Sequence, residues 1–496
     1  MNLAHNLDQA ARFFPDFPAL VEEGETTTYA ELQAQSNRVA SALAGLGLAP
    51  GDLAAICLPN GREWLAAYFG IIKAGGAAVT LAAGLSRGEL KMLLADCAPK
   101  FLFTTGEKLE ALGAWEGLGK VTKVVAPGGE IDFERLSARG SREFESVERG
   151  RDDVAAVLYT GGTTGTPKGV MLTHENLMVS AYNVARQERS NHEDRVLCFL
   201  PLHHVFGQVH VMLSTILTAG CLEMMPAFDM DQVLVAFDRG RVTKFYAVPT
   251  VYMRLLGRAD LKERLGKVRY CFSAAASMAL EVVREWKQVT GLDIHEAYGM
   301  TESASMVTYN HYYRHKVGSV GTPVGSVEVA IMDQEGNLLP QGKDGEICIQ
   351  GPNIMKGYLN RPEETARAFR GPWLRSGDVG HLDEEGYLYI VDRIKDMIIT
   401  GGENVYPREV EELLHERPEV AECAVVGLPD REYGERVVAV IVPKPGAKPD
   451  PDELKAYLKE RLSGYKVPKD FVIVPDLPKS AAGKILKRVL KEGFIR

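Results

Sequence analysis

The sequence predicts an α/β protein in which a large N-terminal domain of parallel-rich sheets, carrying a β-rich subdomain, precedes a small α+β C-terminal domain. Three observations lead there. Short apolar runs alternate with helical patterns from residue 28 to 297, as they do where the strands of a parallel sheet are joined by helices. From 318 to 354 the pattern turns to brief β runs separated by Gly and Pro turns, VEVAIMDQEGNLL and GEICIQG among them. After GYLYIVDR a third pattern opens, and a chain of 496 residues, at roughly 150 per domain, has room for about three structural units. The domains are placed at 1–393 and 394–496.

Taken in order, Thr28, Tyr29, Ala30 and Glu31 form a capping box that starts a helix ending near Leu46. Residues 52–58 (DLAAICL) read as a buried strand, 63–74 as a helix stopped by Gly75 and Gly76, and 77–81 as the next strand. DVAAVLYT, ending at Thr160, is a further strand. A glycine-rich loop follows it, and Thr173 caps a helix through about Gln187. Strands are expected again at 243–249, 267–272 and 292–297. In the small domain Pro407 takes the first position of the helix PREVEELLHE. ECAVVGL and ERVVAVIVPK are strands, DELKAYLKERL a helix, KDFVIVP a strand and ILKRVLKE the closing helix.

A net charge of −9, with 46% apolar and 25% charged residues, is ordinary for a soluble globular protein and argues against a nucleic-acid-binding surface, while leaving room for a local basic patch. The seven cysteines are scattered without a CxxC spacing, so neither a zinc site nor a disulfide framework is expected, and they read as small core residues. The N-terminus lacks a basic region followed by an apolar run, and no apolar stretch reaches the roughly 20 residues that span a bilayer. The expectation is a cytoplasmic protein without a membrane span.

The first stretch with evident chemistry is YTGGTTGTPKGV, 159–170. Glycines let backbone N–H groups converge on an anion, the hydroxyls of Thr160, Thr163, Thr164 and Thr166 add donors, and Lys168 adds a positive charge. A loop of this kind between a strand and a helix suits phosphate. It is not a P-loop, since Pro167 precedes the lysine and Gly169 follows it, where GxxxxGK[ST] is required. Alone it would serve equally as a surface turn.

Six further motifs stand in order along the chain: LPLHHVFG (200–207), EAYGMTES (296–303), GEICIQGPNIMKGYLN (345–360), LRSGDVG (374–380), YIVDRIKDMIITGGENVYPREVE (389–411) and KSAAGKILKR (479–488). With the glycine loop, this set resembles the adenylate-forming superfamily, which includes acyl-CoA synthetases, aryl-CoA ligases, firefly luciferase and peptide-synthetase adenylation domains. The likeness begins at TYAEL (28–32) and runs almost to the end.

The resemblance implies a role for each matching residue. Thr160, Gly161, Gly162, Thr163, Thr164, Gly165 and Lys168 would hold the phosphates of ATP. Ala275 and Ala276 in FSAAASM, with Tyr298 and Gly299, would lie at the nucleotide. Thr301 would contact phosphate and Glu302 would hold Mg²⁺. Asp378 and Arg393 would bind the ribose. His204 would stand near the carboxylate and the thiol channel, while the adjacent His203 occupies a position where relatives often have an aromatic residue. Lys484 would reach the carboxylate and α-phosphate while the acyl-adenylate forms. Lys395 matches the hinge, and Gly401 and Gly402 would border the path of the pantetheine arm. Read singly, Glu302 is a helix-start acid, Asp378 belongs to a turn, Gly401 and Gly402 to a hairpin, and Lys479, Lys484, Lys487 and Arg488 to a solvated helix face.

The implied chemistry is coherent. A carboxylate lacks a usable leaving group; adenylation supplies one, and a thiol then displaces AMP. Such a catalyst positions and neutralises charge, and the chain has no nucleophile constellation of its own. No acid lies between Phe199 and His210 for an α-amine, and the chain ends soon after Lys484, so coenzyme A is favoured as acceptor over a carrier-protein thiol. The acyl pocket of relatives is lined near residues 272–278. A medium- or long-chain fatty acid is favoured, with an aryl or alicyclic acid, or a stand-alone enzyme loading a carrier protein, as alternatives. A non-catalytic nucleotide-binding homologue is disfavoured because Lys168, Glu302, Asp378, Arg393 and Lys484 are all present. A homodimer is compatible with the sequence.

Overall fold

In the computed structural model, residues 1–112, 123–127, 131–160, 167–274, 278–479 and 485–495 are described. Two seven-stranded sheets dominate. In the first, the strands run in the order Ile294–Glu296, Tyr270–Ser273, Lys244–Ala247, Arg195–Cys198, Cys221–Met224, Pro18–Glu22 and Glu25–Thr28, all pairs parallel except the last. In the second, the order is Gly357–Tyr358, Lys168–Thr173, Val154–Thr160, Ala77–Thr80, Leu53–Cys57, Phe101–Thr104 and Lys123–Val125. Its last five strands are parallel and its first two junctions antiparallel. These parallel-rich sheets and the smaller C-terminal unit agree with the architecture expected from sequence.

Local signals explain the helices. Glu31 donates its backbone N–H to Thr28 Oγ1 at 3.2 Å while its carboxylate accepts from the Thr28 N–H at 2.8 Å, and the helix Tyr29–Gly45 follows. Thr173 and Asn176 close the same reciprocal pair ahead of His174–Gln187. The helix Arg62–Lys73 is buried on every face from Trp64 onward. Its side chains belong to one cluster that includes residues of both large sheets. Gly70 in it lies so close to the helix Tyr29–Gly45 that an added Cβ would meet Val39 Cγ1 at 2.5 Å.

At the end of that buried helix, Lys73 has no exposed side-chain surface and pairs with Asp8, which also accepts from Ser146 at 3.0 Å and Gln33 at 3.0 Å. Burial works against the ammonium, and Asp8 opposes that effect. Asp8→Ala is expected to destabilise the protein by about 3 kcal/mol, because it leaves a buried charge uncompensated. The check is the urea midpoint at unchanged m value.

The structure departs from expectation in two places. The glycine-rich stretch does not lead straight into a helix. It joins Val154–Thr160 to an antiparallel strand, Lys168–Thr173, in which Thr160 faces Lys168. KGVMLT buries Gly169, Val170, Leu172 and Thr173, so side chains of both faces are covered, and this apolar strand run prevails over the glycine near its start. The β-rich region is also larger than 318–354. Its antiparallel sheet comprises Glu328–Met332, Gly345–Gln350, Phe369–Arg370, Trp373–Leu382 and Leu388–Arg393.

Beyond it, Ile398–Thr400, Glu403–Val405, Val420–Asp430, Gly434–Pro443 and Asp470–Ile473 form a separate sheet, packed by Pro407–His415 and Pro451–Lys459 around a core of its own. All seven cysteines are free and buried. No helix among the described residues is long and apolar enough to cross a membrane.

Candidate active site

Two strand ends and one loop bring Tyr298, Glu302, Asp378, Arg393 and Lys168 into one region. The strand Ile294–Glu296 delivers Tyr298, whose hydroxyl donates to Asp378 Oδ2 at 2.6 Å. Asp378 lies opposite Arg393 in the register of the strand pair Trp373–Leu382 and Leu388–Arg393, and Arg393 Nε reaches Asp378 Oδ1 at 2.9 Å. Asp378 is 3% exposed, so its charge is felt at short range through little water. Burial first, then the Asp378 carboxylate, pushes the Tyr298 phenol far above its ordinary value, which keeps it a donor.

After Tyr298 the chain folds back on itself. An added Cβ on Gly299 would lie 1.3 Å from the carbonyl oxygen of Ser305, so only glycine fits there. The short 3₁₀ turn Thr301–Ser303 follows, and Ala304 and Ser305 both take positive φ, 50° and 96°. Strain of this kind in two non-glycine residues is concentrated at functional loops. Thr301 is buried at 8% exposure.

Glu302 in this turn meets the second large sheet. Its carbonyl accepts from Met355 N–H at 2.8 Å, and its Oε1 accepts from the hydroxyl of Tyr358 at 2.9 Å. Among the described residues its other carboxylate oxygen has no hydrogen bond. Tyr358 is set in place by pairing with Val170, and the Nζ of Lys168 lies 5.0 Å from its ring centroid while pairing with Glu364. Lys168, Tyr358 and Glu302 thus form one contiguous group, and the segment 298–302 joins it to the Tyr298, Asp378 and Arg393 group.

His204 follows Pro201 at a bend, and its Nδ1 accepts from the N–H of Phe206 at 3.3 Å. His203 is pushed down to about 4, by burial first and His204 second, so it is neutral at physiological pH. Lys395 is exposed in the turn where Asp396 and Met397 donate to the Arg393 carbonyl. Gly401 and Gly402, at φ 60° and 85°, make the tight turn between Ile398–Thr400 and Glu403–Val405, as two consecutive positive φ values require. Gly161, Gly162, Thr163, Thr164, Gly165, Ala275, Ala276 and Lys484 lie outside the described residues. Thr160 ends its strand opposite Lys168.

Sequence reasoning missed three participants. Tyr358 sits within a quoted motif, yet its contact with Glu302 depends on strand pairing that no local pattern specifies. Glu364 begins an unremarkable short helix, Pro362–Ala368. The third is a buried ionic cluster behind Phe206 and Phe272. Glu188, fully buried, accepts from His210 Nε2 at 2.7 Å, Lys244 at 3.3 Å, Tyr270 at 3.3 Å and the hydroxyl of Tyr246. Burial alone would raise its carboxyl, but Lys244 and His210 hold it below the ordinary value, so it is ionised. His210 lies on a π-helix, Phe206–Leu213, with its ring 4.2 Å from that of Phe272; such helices are rare and gather at functional sites.

A pH effect arises where the two units meet. Glu296, 8% exposed, is pushed up to about 7 by burial first, with Arg408 opposing and Glu412 assisting. Both partners lie on the helix Pro407–His415. A raised acid favours the folded form below its unfolded value of 4.5 and loses that contribution as pH rises through about 7. Tm is therefore expected to fall across this window, and Glu296→Gln to flatten the fall, as measured by calorimetry from pH 5 to 8.

The chain matches two family models, the AMP-binding enzyme over residues 7–359 and the AMP-binding enzyme C-terminal domain over 409–484. It is 38% identical over 487 residues to a feruloyl-CoA synthase of Amycolatopsis sp, covering 98% of this chain and 97% of that one. It is 36% identical to a long-chain-fatty-acid–CoA ligase of Bacillus subtilis (strain 168), covering 98% and 93%. Among solved structures, ATP-bound MatB from Rhodopseudomonas palustris superposes with a TM-score of 0.93 at 35% identity, over 100% and 99% of the two chains. With these likenesses spanning both units, the chain belongs to the AMP-binding enzymes of the adenylate-forming superfamily and is an ATP-dependent, AMP-forming acid–CoA ligase.

Proposed function

We propose that the chain joins an aromatic carboxylic acid to coenzyme A through a bound acyl-adenylate, in the cytoplasm. The observation that carries the choice of acid is the wall beside His204 and Ala274. Phe206, His210, Tyr246 and Phe272 touch one another with ring centroids 4.2 to 5.9 Å apart. The Glu188 and Lys244 charges lie directly behind them. Flat aromatic surfaces favour a ring as neighbour. A long alkyl chain entering here would have to run against a buried ion group, which is costly without hydrogen bonds to offer it.

In this reading Asp378 accepts from the ribose hydroxyls with Arg393 steadying its charge, and Lys168 and Thr301 bind phosphate. Glu302, with one oxygen held by Tyr358 and the other without a hydrogen bond among the described residues, suits a magnesium ion, which favours oxygen ligands and few protein carboxylates beside phosphates. Such an ion would neutralise phosphate charge. Glu302 is the protein ligand we assign to it. Residues 1–393 would form the platform and 394–496 a unit turning at Lys395, first presenting Lys484 and then the Gly401–Gly402 turn to coenzyme A.

The test is pyrophosphate release from ATP and Mg²⁺ across cinnamic, 4-hydroxycinnamic, benzoic, octanoic and palmitic acids, with and without coenzyme A. Coenzyme-A-dependent turnover highest on a ring acid supports the reading. The fatty-acid reading remains second, supported by the 36% identity to the Bacillus subtilis ligase, and highest turnover on octanoate or palmitate would establish it instead.

A further inference from the structure

The pairing of Lys168 with Glu364 has consequences for how nucleotide enters. Lys168 is 17% exposed and Glu364 26%, so the pair is largely withdrawn from water. The ring of Tyr358 lies 5.0 Å from the same ammonium, and its hydroxyl reaches Glu302 at 2.9 Å. Lys168 is the first factor, with Arg361 and Arg367 contributing less, in holding the Glu364 carboxyl below its ordinary value. Arg361 pairs closely with Asp96 at 2.7 Å and stands off Glu364, its Nε 3.8 Å from Oε1, so Lys168 is the closer cation of Glu364.

We propose that Glu364 is a positioning residue that serves as the resident counter-ion of the phosphate-binding lysine: it holds Lys168 over Tyr358 in the nucleotide-free enzyme and is displaced when the triphosphate binds. This rests on the reading of Lys168 given above. A triphosphate brings several negative charges to the ammonium that Glu364 now neutralises, and the like charges of phosphate and carboxylate repel, so the two compete for Lys168. Tyr358 stays behind as the second support of the lysine, and through its hydroxyl the exchange is felt at Glu302, on the magnesium side of the same phosphates.

The experiment compares Glu364→Gln with the wild-type enzyme in steady-state ATP titrations at saturating acid and coenzyme A. The expected result is a KM for ATP lowered about three- to fivefold with kcat changed less than twofold, which is what loss of a weak competing ion pair gives. Inhibition by inorganic triphosphate should tighten in the same proportion, and both gains should shrink at high ionic strength. A merely structural Glu364 would raise KM or lower kcat and thermal stability together, and that result, or an unchanged KM, overturns the proposal. Lys168→Ala separates the two levels. If it leaves the KM for ATP unchanged, the phosphate role of Lys168 falls and the counter-ion with it; if it raises KM while Glu364→Gln does not lower it, the counter-ion alone falls.

Discussion

Lys484→Ala is expected to reduce adenylate formation by about 10²- to 10³-fold, the loss typical of removing one placed charge or donor from a developing anion. Thioester formation from supplied acyl-adenylate should survive largely intact. The division follows from chemistry: negative charge accumulates on phosphorus oxygens only in the first half-reaction, whereas the second needs a thiol path and a leaving AMP. The cations around Lys484 are already committed. Lys479 pairs with Glu422 at 2.7 Å and Asp476 at 3.1 Å, and Lys487 with Glu411 at 2.7 Å. Both ammonium groups are held by carboxylates. Measuring pyrophosphate release and, separately, acyl-CoA from synthetic adenylate gives the two rates, and equal loss of both would sink the assignment.

Asp378→Asn should raise the KM for ATP about 100-fold. The carboxylate accepts from Tyr298 and Arg393 at 2.6 and 2.9 Å and remains the acceptor proposed for the ribose. Charge-assisted bonds of this kind contribute about 1.5–3 kcal/mol each, and an amide both weakens them and leaves the guanidinium without its counter-charge. Tyr298→Phe keeps the ring and removes one of these bonds, so its effect should be several-fold only. Titrating ATP for all three proteins orders them; an Asn variant with wild-type KM would remove Asp378 from the nucleotide site.

Much of the fold was legible because its signals are local. The capping boxes at Thr28 and Thr173, the proline opening Pro407–His415 and the apolar runs at Leu53–Cys57 and Val154–Thr160 each determine their element within a few residues. What escaped depends on partners distant in the chain. The strand Lys168–Thr173 gains its place from Val154–Thr160 on one side and Gly357–Tyr358 on the other. The same pairing sets Tyr358 against Glu302, across 56 positions. Glu188, His210 and Lys244 converge from a helix end, a π-helix and a strand start, and each alone reads as a solvated charge. Asp378 and Arg393 were recoverable through their motifs, and the register of one hairpin explains why the two motifs belong together.

The helix Arg62–Lys73, buried from Trp64 onward, bears on how the chain must be made. Its inner neighbours, Leu53–Cys57 and Ala77–Thr80, leave the ribosome almost with it. The strands of the other large sheet do not. Pro18–Glu22 waits for its partner Cys221–Met224. At about 5–20 residues per second the interval from helix to partner is on the order of ten seconds. Throughout it Tyr68 lacks Gln208, whose Oε1 accepts from its hydroxyl at 3.3 Å in the finished fold. That stretch of synthesis is when the nascent chain is most open to aggregation and most in need of a holding chaperone.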